Sequence, residues 1–141
     1  MASKLIDSDV KDIICKLVRK ESGEEVNEKL AVYSTCAVNW MFKMNDQMRT
    51  KLYEKHILDC FDSLRGTKNE DVIEVLSELL SEYVKNDNAK FEIVHSDWLG
   101  CLQTWGSSSK SPKIRLNTAN TIANLLQNGL KKAGGGRKYL R

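Results

Sequence analysis

The sequence predicts an all-α chain, and three observations carry that reading. Apolar residues recur at steps of three and four through six successive stretches. No stretch alternates apolar and polar residues with period two over the length of a strand. One proline and eight glycines in 141 residues are too few for a turn-rich β sandwich or a proline-rich disordered chain.

The first stretch carries Val10, Ile13, Ile14, Leu17 and Val18, with Ser8 or Asp9 placed to cap its start. Gly23 interrupts it. Leu30, Tyr33, Cys36, Ala37, Trp40, Met41 and Met44 then form a longer stripe, read as the core face of a second helix, and Asn45-Asp46 is a polar break. Met48, Leu52, Tyr53, Ile57, Cys60, Phe61 and Leu64 predict one continuous third helix, ended by Arg65-Gly66. Val72, Ile73, Leu76, Leu79, Leu80, Tyr83 and Val84 make a fourth, stopped by Asn86-Asp87-Asn88. The fifth holds Phe91, Val94, Trp98, Cys101, Leu102 and Trp105, and Gly106-Ser107-Ser108-Ser109 reads as a flexible loop. Ser111-Pro112 opens the sixth, serine as cap and proline in the first turn, where its missing N–H costs nothing. Its stripe is Ile114, Ala119, Ile122, Ala123, Leu125 and Leu126.

The stretches are self-similar. A slide of 43 residues lays the second helix on the fourth (Leu30 on Ile73, Trp40 on Tyr83) and the fourth on the sixth (Ile73 on Leu116, Tyr83 on Leu126). The preceding helices correspond at offsets of 47 and 41, as loops of unequal length require. A period of 40–47 residues is that of armadillo and HEAT units, and three units is the least number that buries a continuous core.

The run from Ile114 to Leu126, with its alanine-containing middle and Asn124-Leu125 near its end, resembles the third helix of an armadillo repeat. The resemblance spans residues 8–128, although the first two units lack the Ala-x-x-Asn-Leu pattern. It implies a right-handed α-solenoid of about three helical-hairpin repeats over 1–130, followed by a basic, glycine-rich tail at 131–141. Leu79-Leu80-Ser81-Glu82-Tyr83-Val84-Lys85-Asn86, with Phe91 and Trp98, resembles instead the middle of the VHS and ENTH trafficking-adaptor domains, which are also all-α.

Composition narrows the classes of function. Lys and Arg number 22 against 19 Asp and Glu, a net charge of +3, too weak to announce a nucleic-acid binder. No run reaches the length of a membrane span. Asp7 and Asp9 stand where a signal peptide needs apolar residues, so the expected location is intracellular, cytoplasmic or nuclear. Cys15, Cys36, Cys60 and Cys101 lie 21, 24 and 41 residues apart with no CxxC pair, and are read as buried free thiols acting as small hydrophobes.

Nothing in the sequence assembles a catalytic set. There is no Gly-x-Ser-x-Gly elbow, and Gly134-Gly135-Gly136 lacks the Lys-Ser/Thr of a phosphate loop. Glu74, Glu78 and Glu82 are spaced as a solvated helix face. His56 and Cys60, four apart, and Cys101 at the repeat-equivalent position are read as core and boundary residues in preference to zinc ligands. No enzyme, metal or cofactor is expected.

Asn117, Asn120, Asn124 and Asn128 do stand out, forming a ladder opposite the apolar stripe of the sixth helix. Asparagine is a mediocre helix former, and its amide offers both donor and acceptor to an extended peptide. The armadillo resemblance implies that Asn124, with Asn120 beside it, holds the main chain of a bound peptide. Subtracting 43 brings Ser77 and Ser81 to the same face, and subtracting it again brings Val38 and Phe42, an apolar pair either forming an anchor pocket or covered by another part of the chain. Trp40, Trp98 and Trp105 are assigned to the core. The expected function is thus a protein-interaction module, an adaptor or scaffold that holds a peptide or partner helix, self-associates, or belongs to a larger chain. The alternative is an adaptor that meets nucleic acid or anionic lipid through Lys131, Lys132, Arg137 and Lys138.

Overall fold

Four helices start at a side-chain cap that the sequence supplies locally. Asn27 Oδ1 accepts from Leu30 N, Asn69 Oδ1 from Asp71 N and Val72 N, Asn86 Oδ1 from Asn88 N and Ala89 N, and Ser111 Oγ from Ile114 N. Each satisfies donors that the first turn of a helix leaves open, a contribution of about 1 kcal/mol per cap.

The computed structural model describes residues 10–18, 27–44 and 46–132, the last five by backbone alone. Its elements are α1 (Val10–Val18), α2 (Glu28–Met44), α3 (Asp46–Glu54), a 3₁₀ segment η1 (Ile57–Leu64), α4 (Glu70–Tyr83), α5 (Asp87–Val94), α6 (Trp98–Ser108) and α7 (Pro112–Lys132). No strand occurs among the described residues, so the all-α expectation holds. Among the described residues no helix is long and apolar enough to cross a membrane. The chain falls into two compact units, Met1–Leu79 and Leu80–Arg141.

In the first unit, α1 packs against η1 and α2, and α3 against α2. The core holds Ile14, Val18, Phe42, Leu52, Ile57 and Phe61. The continuous third helix is overturned: the chain turns at His56, whose φ of 53° and ψ of 51° are left-handed, and η1 starts afresh at Ile57. That turn aims Ile57, Leu58, Cys60, Phe61 and Leu64 inward together, burial that an unbroken α-helix would have spread around its axis.

In the second unit, α6 packs on α7, and α5 touches both. Trp98 and Trp105 are buried edge to face, ring centroids 6.4 Å apart, with Leu102 and Ile93 beside them in the core. The expected fifth helix is two, separated by a turn at His95–Asp97 where Ser96 Oγ accepts from Trp98 N. The serine run is helical and not loop: α6 continues through Ser108, with Ser107 and Ser108 donating back to Gln103 O and Thr104 O. The sixth helix begins where Ser111-Pro112 predicts. Lys131 and Lys132 belong to its last turn and not to a tail, and 133–141 lie outside the described residues.

The long helices α2, α4 and α7 begin at Glu28, Glu70 and Pro112, 42 residues apart each time. The offset used above was 43. One residue turns an α-helical face by about 100°, so that slip exchanges faces.

Candidate functional site

The 42-residue register sorts the three long helices into equivalent faces. On α4 one face carries Val72, Val75 and Leu79, the opposite one Ile73, Ser77, Leu80 and Ser81, with Val84 just past its end, and both are buried. On α2 the equivalents of the second set, Ala31, Thr35, Val38, Asn39 and Phe42, are buried, while of the first Leu30 and Tyr33 lie outward with Trp40 beyond them and Ala37 is half-buried. Tyr33 is 70% exposed and Trp40 72%. On α7 the pattern reverses. Ile114 and Thr121 are buried, whereas Arg115, Ala119, Ala123 and Leu126 are exposed and Ile122 is half-buried.

This corrects several sequence expectations. The apolar stripe of the second helix is not its core face: Leu30, Tyr33, Trp40 and Met44 are exposed. Trp40 leaves the core, and Trp98 and Trp105 keep their places in it. Val38 and Phe42 are fully buried, the covered alternative, with the Phe42 ring tilted against Tyr53 at 5.2 Å. Ser77 and Ser81 are buried too, Ser77 Oγ donating to Glu74 O at 2.8 Å, so none of these four presents surface to a partner. On the sixth helix, Ala119, Ala123 and Leu126 lie outside, and Thr118 and Thr121 occupy the core positions. Periodicity identified the helices but chose the more apolar face as the inner one, which α2 and α7 contradict.

The asparagine ladder has surface. Asn120 is exposed, and Asn117 and Asn124 are half-buried along the flank of α7 opposite its bare apolar strip. Asn124 Nδ2 donates to Asn120 O at 3.0 Å, one turn back, which ties that amide to its own helix. Thr121 Oγ1 donates to Asn117 O at 2.8 Å. The side chains of Asn128, Lys131 and Lys132 are not described, and Arg137 and Lys138 lie outside the described residues.

Across α7 from the ladder, α6 and α7 enclose a cleft of about 820 Å³. Leu102, Leu116, Ala119 and Ile122 give it an apolar floor, with Lys110 and Arg115 at its rim. The sequence reading missed this cleft, whose lining is scattered over 102–122; apart from it, residues 98–141 contain eight Lys and Arg and no Asp or Glu, while 1–97 contain 14 basic and 19 acidic residues.

The thiol expectation fails for two cysteines. Cys15 on α1 and Cys60 on η1 form a disulfide across 45 residues, with Cα atoms 4.5 Å apart. Cys36 and Cys101 are half-buried thiols. His56 sits in the turn before η1 and not on a helical face with Cys60, and His95 is exposed with its ring against Phe91, centroids 4.2 Å apart. Among the described residues no three His, Cys, Asp or Glu side chains gather into a metal-binding group.

Comparison with known proteins adds one finding. No family model and no curated protein matches the chain. A crystal structure of an engineered protein from the Northeast Structural Genomics Consortium superposes with a TM-score of 0.72 at 14% identity, over 89% of this chain and 50% of that one. The likeness is one of fold. The chain spans half the length of that structure.

Proposed function

We propose that the chain is a right-handed helical-repeat module of armadillo type that holds an extended peptide along the asparagine flank of α7. The carrying observation is Asn120 and Asn124 one turn apart, with Asn120 exposed and the Asn124 amide held by the Asn120 carbonyl. A fixed primary amide presents an acceptor to a backbone N–H, and its exposed neighbour supplies both donor and acceptor. The repeat reading draws support from three long helices at a constant 42-residue spacing, and the fold likeness is compatible with it. No step of chemistry is assigned to the protein, and no cofactor.

Selection of peptides from a random library, followed by Asn120→Ala and Asn124→Ala, tests this reading. Each substitution should weaken the selected peptides at least tenfold, the loss of about 1.4 kcal/mol expected for one hydrogen bond between partly buried groups. Unchanged binding in both variants would sink it.

The acid-free stretch from Trp98 favours a second reading, an anionic partner such as nucleic acid or acidic lipid. Such binding should fall steeply with salt and survive both asparagine changes. The intracellular location rests on the N-terminal aspartates, and the Cys15–Cys60 disulfide pulls against it, since reducing compartments keep thiols apart. Measuring the redox state of that pair in the protein's native setting decides the compartment.

A further inference from the structure

We infer that the cleft between α6 and α7 binds a single-chain fatty acid, its carboxylate between Arg115, Lys110 and Thr118 and its chain along the apolar floor. Both helices lie within the unit Leu80–Arg141. Gly106 and Thr118 face each other across the cleft: a Cβ on Gly106 would stand 3.5 Å from the Thr118 methyl. That contact sets the antiparallel register of the two helices. Leu102, Ala119 and Ile122 lie to one side of it, and Lys110 and Arg115 lie to the other, toward the turn that joins α6 to α7. The cleft therefore grades from apolar to cationic along its length.

The polar groups at that junction lack partners. Thr118 is 1% exposed, yet its hydroxyl has no hydrogen bond, a state few buried hydroxyls keep. Its methyl faces Gly106, so bringing the hydroxyl there takes one χ1 rotation, and helical threonine divides its population between two rotamers. Arg115 stands one turn before Thr118 on the same face of α7. Neither it nor Lys110 has an ion pair among the described residues. The acids of the unit are engaged or remote: Glu82 pairs with Lys85, Asp87 with Lys90, Glu92 accepts from the Tyr83 hydroxyl, and Asp97 stands at the opposite end of α6. The first turn of α7 adds the positive end of a helix dipole.

Charge and size select the occupant. Two cations and a hydroxyl are donors only in search of acceptors, and the two oxygens of a carboxylate accept from all three. The floor beyond them asks for hydrocarbon: Leu116, 70% exposed, and Ala119 gain from being covered. A free fatty acid joins these two requirements in one molecule. The volume of about 820 Å³ lies within the range of about 300–1,000 Å³ of small-molecule sites, which favours a free amphiphile over a protein surface. The peptide reading uses the opposite flank of α7 and is tested at other residues, so the two fail separately.

Titration calorimetry of the 141-residue chain with laurate, kept below its micelle-forming concentration, tests the inference. Laurate should bind one to one and saturate. Dodecanol, which lacks the charge, and acetate, which lacks the chain, should each bind at least about tenfold more weakly. Thr118→Val keeps the shape of the side chain; it should weaken laurate about fivefold while melting no lower than the wild type, because an unpaired buried hydroxyl has gone. Lys110→Gln combined with Arg115→Gln, both at exposed positions, should also weaken it about fivefold. Absence of laurate binding overturns the inference, as does binding indifferent to the head, to the chain or to either variant. Phosphatidylserine vesicles bound alike by the wild type and Thr118→Val, with no binding of laurate, would overturn it and leave the anionic reading standing.

Discussion

Asn39 on α2 donates its side-chain amide to the main-chain carbonyl of Val75 on α4, 3.3 Å away, while its own Oδ1, buried, has no hydrogen-bond partner. The residue marks the seam between two long helices, and one of its two polar atoms is carried at a cost of about 1–3 kcal/mol.

That seam should reject a charge. Asn39→Asp replaces the donor with an acceptor facing a carbonyl and buries an ionisable group, so its folded-state pKa must rise above the ordinary value of about 3.9. The variant should therefore lose about 3 kcal/mol at neutral pH. The loss should shrink as pH falls toward and below the ordinary aspartate value, where the folded and unfolded states are both protonated. Urea melts across pH, read against the wild type, provide the check; a deficit independent of pH would contradict the placement.

The tryptophans should divide sharply. Trp98 is 2% exposed, and Trp98→Ala should cost about 3–5 kcal/mol. Trp40 is 72% exposed, and in dilute monomer Trp40→Ala should stay within about 0.5 kcal/mol of the wild type. Chemical denaturation of the two variants, with acrylamide quenching of the fluorescence that remains, distinguishes them.

His56 holds a left-handed backbone with φ at 53°. Such a conformation costs a non-glycine residue about 1–2 kcal/mol, so His56→Gly should raise stability by about 1 kcal/mol once glycine's greater unfolded freedom is subtracted. A β-branched substitution, His56→Val, should destabilise instead. The order of thermal midpoints, Gly above His above Val, is the result to look for.

Opening the Cys15–Cys60 disulfide should lower stability by about 2–4 kcal/mol, because a closed loop of this length restricts the unfolded chain. Cys60→Ala with reductant present should show the same midpoint as without it. A wild type indifferent to reductant would contradict the bridge.

The sequence made the helices legible, and their outer starts most of all. Ser111, read as a cap, acts on Ile114 three residues on, and a local signal of that kind survives any tertiary context, whereas Asn86, read as the stop of the fourth helix, is the cap of α5. Facing was less legible. The Leu30–Tyr33–Trp40 stripe and the Ala119–Ala123–Leu126 stripe are the more apolar sides of their helices, yet both lie outward. Breaks inside a periodic run were hidden too. Ile57 to Leu64 keep a helical spacing of apolar residues, and only the backbone at His56 reveals the turn. The asparagine ladder was visible because it departs from helix propensity, and Val38 and Phe42 were misplaced by the single residue separating a slide of 43 from one of 42.

The bond between Cys15 and Cys60 closes a covalent hoop of chain that includes α2 and α3. A protease that nicks the backbone anywhere within the hoop severs the polypeptide without parting it. The two fragments should migrate as one band until a reductant is added, and a gel run both ways would reveal a cut protein that in every other assay passes as whole.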